Sequence, residues 1–91
     1  MITVEKIDEA TFKVTVDSQG TVTQHRVTVS PDYLDRLTKG NVSPEILVEQ
    51  SFKFLLQRES NTSILSSFDL PIIGSYFPEY ESIIRKMVSI N

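Results

Sequence analysis

The stretch that decides the fold is SPEILVEQSFKFLLQRE, Ser43–Glu59, which is predicted to form the longest helix of the chain. Ser43 is a good N-cap, and Pro44 suits the first helical position, where a backbone N–H has no partner to lose. At 100° per residue, the apolar side chains fall on one broad arc. They are Leu47, Val48, Phe52, Phe54, Leu55 and Leu56. An arc of about half the circumference is wide for one partner, so we expect strands on one side and later helical segments on the other.

The residues before this helix predict an antiparallel hairpin. Residues 11–17 alternate in polarity, as a half-buried strand does. The apolar side chains on one side are Phe12, Val14 and Val16. Asp17–Gly20 is typical of a turn, and the β-branched run 21–29 should pair back on the first strand. Residues 2–7 alternate briefly and are a candidate third strand at the edge.

The second hairpin strand changes phase along its length. Val22 has one parity, whereas Val27 and Val29 have the other. A β-bulge near Thr23–Arg26 would reconcile the two, and we slightly prefer that interpretation. Alternatively, Val22 faces water close to the turn.

Cap and stop signals predict the remaining helices. Ser30 precedes a short helix, Pro31–Lys39, which Gly40 is placed to end. The segment FDLPIIGSYFPEYE, residues 68–81, predicts a short helix capped by Asp69 and interrupted before Pro78. A last amphipathic helix should run from Pro78 to about Ile90.

Together these elements predict one α+β domain over residues 1–91: an N-terminal hairpin of two or three strands, a short helix, a long central helix and a C-terminal helical segment. The chain contains no cysteine, which excludes disulfides and thiolate chemistry and suits a reducing compartment. No apolar run approaches the roughly 20 residues of a membrane span. We therefore expect a soluble cytoplasmic protein without membrane contact.

Several motifs are similar to those of a small prokaryotic family of conserved proteins without an assigned function. They are VSPDYL at Val29–Leu34, NVSPE at Asn41–Glu45 and FDLPIIGSYFPEYE at Phe68–Glu81. The resemblance implies one compact unit from a bacterium or archaeon, with no catalytic residues to transfer.

The residues give little support for catalysis. His25 is the only histidine, and no nucleophile motif accompanies it, so we expect a solvent-facing strand histidine. The acidic residues lack the spacing of metal ligands, and the isolated glycines do not form a phosphate-binding loop. We therefore predict a protein that is not an enzyme, with no catalytic residue, cofactor or metal.

The order of strand, short helix, tight turn and long helix is similar to that of ribbon-helix-helix DNA-binding proteins. That resemblance implies a dimeric transcriptional regulator or antitoxin in which Gln24, Arg26 and Thr28 face the bases. The net charge of −3 and the upstream hairpin partner argue against it. Nucleic-acid binding is therefore only the alternative prediction.

The preferred prediction is a small protein-interaction or regulatory domain. The tail is richer in apolar side chains than a short segment needs for itself, and any that remain exposed would suit a partner. The candidate interaction surface consists of Phe68, Ile72, Tyr76, Phe77, Tyr80 and Ile84. The sequence leaves open whether the partner is another protein or a second copy of the chain.

Overall fold

The computed structural model, which describes residues 1–40 and 42–88, contains a four-stranded sheet. The strands are β1 (Ile2–Lys6), β2 (Thr11–Ser18), β3 (Thr21–Thr28) and β4 (Ser67–Asp69), in the spatial order β1-β2-β3-β4. The first three strands are antiparallel, and β4 is parallel to β3. The α+β class is confirmed, as is the third strand over Ile2–Lys6. The parallel strand β4 was not anticipated.

The hairpin keeps a regular register over residues 11–28, so the preferred prediction of a β-bulge near Thr23–Arg26 is wrong. Pairing runs without interruption from Thr11↔Thr28 to Ser18↔Thr21. Gln19 and Gly20 form the connection, and both have positive φ, as a type I′ turn requires. Val22 is 58% exposed beside this turn, as the alternative interpretation stated.

The helices are α1 (Pro31–Thr38), α2 (Pro44–Leu56), α3 (Ile73–Tyr76) and α4 (Tyr80–Val88). Single 3-10 turns at Asn61–Ser63 and Leu70–Ile72 flank β4. Helix α2 ends before Gln57, three residues earlier than the predicted Glu59. Phe77 is extended immediately before Pro78, as predicted. The predicted end of the last helix near Ile90 lies outside the described residues.

Both serine caps are confirmed. The Ser30 hydroxyl accepts a hydrogen bond from the Tyr33 N–H at 3.1 Å, and the Ser43 hydroxyl accepts one from the Ile46 N–H at 3.3 Å. Asp69 occupies the predicted N-cap position but makes no capping hydrogen bond, because its carboxylate accepts the Thr28 hydroxyl instead. This side-chain contact joins β4 to β3 beside the backbone pairing.

Helix α4 packs on α2, which covers the second side of the wide apolar arc. The Tyr80 ring meets Phe54 edge-on at 5.2 Å between centroids. The Ser51 hydroxyl donates to the Leu47 carbonyl, so the Tyr80 hydroxyl donates to Ser51, at 2.7 Å. A buried polar pair of this kind fixes how the two helices meet, because any sliding would leave a hydroxyl without a partner.

His25 is buried at 4% exposure, so the prediction of a solvent-facing histidine is wrong. Its ring lies 5.3 Å from that of Phe52, and its Nδ1 lies 2.7 Å from the Leu65 carbonyl oxygen. A carbonyl can only accept, so Nδ1 carries the proton and Nε2 accepts from the Thr23 hydroxyl at 2.8 Å. The parity of β3 is therefore regular, with the polar Thr23 and His25 at inward positions.

Candidate partner-binding pocket

A pocket of about 250 Å³ lies where the end of α2, the first 3-10 turn, β4 and α3 come together. Its floor is buried and apolar, and comprises Leu55, Ile64 and Ile73. The local sequence produces this recess because the chain between α2 and α4 is broken into four short pieces, none long enough to cover the helix end fully.

Exposed apolar side chains surround the pocket. Tyr76 is 63% exposed and Ile72 is 37% exposed, although both side chains are large and mostly apolar. Leu65 contributes a third exposed side chain, while Phe68 and Phe77 are half-buried in the walls. Isolated exposed apolar residues are ordinary, but a group lining one concave site is typical of a binding surface.

The predicted interaction surface divides into two parts. Phe68, Ile72, Tyr76 and Phe77 line the pocket, so the structure brings these side chains together. In contrast, Tyr80 and Ile84 are fully buried in the core, and their inclusion in the predicted surface is corrected. They lie on the stripe of α4 that faces α2, which the sequence alone could not separate from the rest of the tail.

Glu59 is the one acidic or basic residue of the lining. It is half-buried, and its partial burial raises the pKa of the carboxyl above its ordinary value of 4.5. In residues 1–40 and 42–88 the ion pairs are Lys53–Glu49 and Arg58–Glu79, so Glu59 forms no ion pair in that part of the chain. A carboxylate beside apolar walls is the feature that distinguishes this pocket from a simple packing gap.

Sequence reasoning missed the contribution of α2 and the first 3-10 turn to this site. Leu55 belongs to the apolar arc of the predicted central helix, Glu59 is the last residue of that helix, and Ile64 has no predicted role. Their role depends on how β4 and α3 fold back over the end of α2, and no local pattern encodes that. The one available signal was the polar break at residues 60–63, which separates α2 from the apolar tail.

The side chains that a metal ion would need are not gathered into one group in the described part of the chain. Within residues 1–40 and 42–88, no group of three or more His, Cys, Asp or Glu side chains could hold a metal ion. Both nitrogens of His25 are engaged in hydrogen bonds inside the fold. The expectation of a non-catalytic protein stays a prediction.

The residues of the DNA-binding alternative lie on the outer face of the sheet. Gln24 and Arg26 are exposed there, whereas Thr28 is half-buried and bonded to Asp69. Strand β3 is flanked by β2 along its whole length and by β4 at Arg26–Thr28. A ribbon-helix-helix dimer needs a free strand edge for pairing with its copy, and β3 does not offer one at Arg26–Thr28.

The sequence matches no protein-family model, and no curated protein or solved structure is detectably similar to it. Across residues 1–40 and 42–88, every helix is too short or too polar to cross a membrane. The resemblance to an uncharacterised prokaryotic family therefore remains a hypothesis.

Proposed function

We propose that this chain is a small non-catalytic interaction domain that holds an apolar side chain of a partner protein in the pocket between α2, β4 and α3. The observation that carries the proposal is the exposure of Ile72 and Tyr76 around a concave apolar floor. Apolar surface left in water at a recess is a source of binding free energy, at roughly 25 cal/mol per Å² removed from water.

The dimensions of the pocket favour a side chain over a cofactor. Small-molecule sites usually span roughly 300–1,000 Å³, and this pocket has about 250 Å³. Its lining supplies few polar side-chain groups to orient a ligand, namely those of Glu59, Ser63 and Tyr76. A peptide anchor that inserts one or two apolar side chains needs no more than this, because the rest of its contacts lie outside the recess.

The proposal also includes the cellular compartment and the source of the protein. A chain without cysteine is suited to a reducing cytoplasm, and the family resemblance implies a bacterial or archaeal source. DNA binding remains the alternative function. The flanked edge of β3 and the net charge of −3 support the interaction domain over that alternative.

The test is selection from a random 12-residue peptide library displayed on phage, with the wild-type chain as bait. The expected result is a set of peptides that bind the wild type and lose binding on Ile72→Asp and on Tyr76→Asp. Both variants place a carboxylate at the exposed rim of the pocket, and thermal unfolding of each verifies that the fold persists.

Val22→Asp is the matched control, because Val22 is an exposed apolar residue beside the hairpin turn and does not line the pocket. Selected peptides should bind this variant as they bind the wild type. Failure to select any peptide, or peptides indifferent to both rim variants, would exclude the pocket as a partner site.

A further inference from the structure

The lining of the candidate pocket includes one charged residue, which favours a partner of opposite charge. Glu59 is the sole acidic or basic residue of the lining, which otherwise includes the apolar side chains of Leu55, Ile64 and Phe77. No side-chain hydrogen bond to the Glu59 carboxylate is formed by residues 1–40 and 42–88. Partial burial raises its pKa, which means that the folded chain holds this charge at a cost.

Arg58, the cationic residue next to Glu59 in sequence, makes contacts with other residues. The Arg58 Nε donates to Glu79 at 3.2 Å, and its guanidinium carbon lies 3.7 Å from the centre of the Phe54 ring. A further Arg58 nitrogen donates to the Phe54 carbonyl, also at 3.2 Å. These contacts hold the Arg58 side chain along α2 and towards α4. Arg58 would have to break them to pair with Glu59.

A cation brought by the partner would relieve the cost that Glu59 carries. When an apolar side chain fills the recess it removes water from the carboxylate, which strengthens the attraction of any adjacent cation. An uncharged partner would bury the same carboxylate without compensation. The recess therefore discriminates between partners by charge as well as by shape.

We propose that the pocket selects a protein segment in which a bulky apolar side chain is followed or preceded closely by lysine or arginine, the cation pairing with Glu59. This inference rests on the proposed function and adds the specificity of the same site. The net charge of −3 on the chain favours encounters with such a basic segment. A second copy of this acidic chain is the less complementary occupant.

The experiment uses the peptides selected with the wild-type chain that lose binding on Ile72→Asp. Their sequences should be enriched in a basic residue beside the apolar anchor. Each is then made in two forms, one with free lysine and one with Nε-acetyl-lysine, which keeps the side chain and removes the charge. We expect Glu59→Gln to weaken the free-lysine peptide about tenfold, as loss of a close interfacial charge pair does.

The acetylated peptide should show the same loss on the wild-type chain and no further loss on Glu59→Gln, because both changes remove the same pair. Glu49→Gln is the matched control, since Glu49 lies earlier on α2, is paired with Lys53 and does not line the pocket. It should leave both affinities unchanged.

The remaining outcomes separate the two proposals. If Ile72→Asp abolishes binding but Glu59→Gln and acetylation leave it unchanged, the pocket is a partner site and the charge selection is wrong. If no peptide depends on Ile72, the partner site and its charge selection are both wrong. Selection of peptides that copy a segment of this chain, with a dimeric mass in solution, would replace the basic partner by a second copy.

Discussion

Thr23, His25 and Asn61 show how polar residues can occupy a core face when each donor meets an acceptor. The Asn61 side-chain nitrogen donates to the Thr21 carbonyl at 3.0 Å and to the Thr23 hydroxyl at 3.2 Å. The Thr23 hydroxyl donates to His25 Nε2, and His25 Nδ1 donates in turn to the Leu65 carbonyl. The chain of bonds ties the segment at 61–65 to the inner face of the sheet.

Thr23→Val should therefore destabilise the protein, although valine has the better strand propensity. The substitution leaves the His25 Nε2 inside the fold without a donor, and an unsatisfied buried group costs about 1–3 kcal/mol. Urea unfolding at neutral pH measures the loss. Thr15→Val is the control, since Thr15 lies on the outer face of β2. Equal midpoints for the two variants would show that the Thr23 bond contributes nothing.

We expect the stability of the protein to depend on pH through the Glu59 carboxyl. Burial raises the pKa of this carboxyl in the folded chain, so the unfolded chain holds the ionised form more easily. The stability that Glu59 contributes is complete below its unfolded pKa and is lost as the pH rises through the folded pKa. Glu59→Gln should thus be more stable than the wild type at about pH 7.

That advantage should shrink towards zero at about pH 3.5, where the carboxyl is largely protonated in both states. The measurement is the difference in free energy of unfolding between the two proteins at each pH. Glu49→Gln provides the comparison, because its carboxylate is paired with Lys53 at the surface. An advantage of Glu59→Gln that is independent of pH would point to packing and not to charge.

At the scale of the element, the helix starts follow most directly from local chemistry. Ser43 has an extended backbone, its hydroxyl accepts from the Ile46 N–H, and Pro44 follows it. We expect Ser43→Ala to cost about 1 kcal/mol, the usual loss when an N-cap acceptor is removed. Denaturant unfolding measures this value, with Ser82→Ala, an exposed serine within α4, as the control. An unchanged midpoint for Ser43→Ala would mean that the cap does not stabilise α2.

Local signals could predict the strands of the hairpin, the caps and the amphipathic stripe of α4, because each depends on residues close in sequence. They could not predict β4. Ser67–Asp69 is too short to show a period, and it becomes a strand only because Phe68 packs near Phe52 and the backbone meets β3. His25 was misplaced for a related reason, since an inward polar residue breaks the apolar alternation used to assign faces.

The same division applies to the candidate site. The apolar tail indicated Phe68, Ile72, Tyr76 and Phe77, which do share one pocket. The sequence pattern of the tail could not show that Tyr80 and Ile84 would be buried by packing on α2. The pattern also could not place Glu59 in the pocket lining, because Glu59 comes close to the tail residues only after the chain reverses between α2 and β4.

On the scale of the whole molecule, α4 belongs to the core. Its inner stripe of Tyr80, Ile84 and Val88 is buried, and the Tyr33 hydroxyl of α1 donates to Glu81 at 2.9 Å. Each large apolar side chain removed from the core forfeits roughly 1.5–3 kcal/mol, and ordinary domains have only about 5–15 kcal/mol in total.

Deleting residues 78–91 should therefore give an aggregated or partly unfolded chain. Circular dichroism and the mass in solution would measure this outcome. The exposed-face variant Arg85→Ala, which leaves the buried stripe intact, should remain folded. A truncated chain that stays monomeric and unfolds cooperatively would contradict the assignment of α4 to the core.

The parallel pairing of β4 with β3 has a consequence for the order of folding. The β2–β3 hairpin closes through a turn of Gln19 and Gly20, whereas Thr28 and Asp69 are 41 positions apart. The entropic cost of closing a loop rises with the number of residues in the loop. Pairings between residues far apart in sequence therefore form late in folding. β4 should join after α1 and α2 have formed, and its backbone amides should exchange with solvent deuterium sooner than those of β2. The pocket walls would then belong to the part of the native state that opens first, and a bound partner would slow that opening by holding β4 in place.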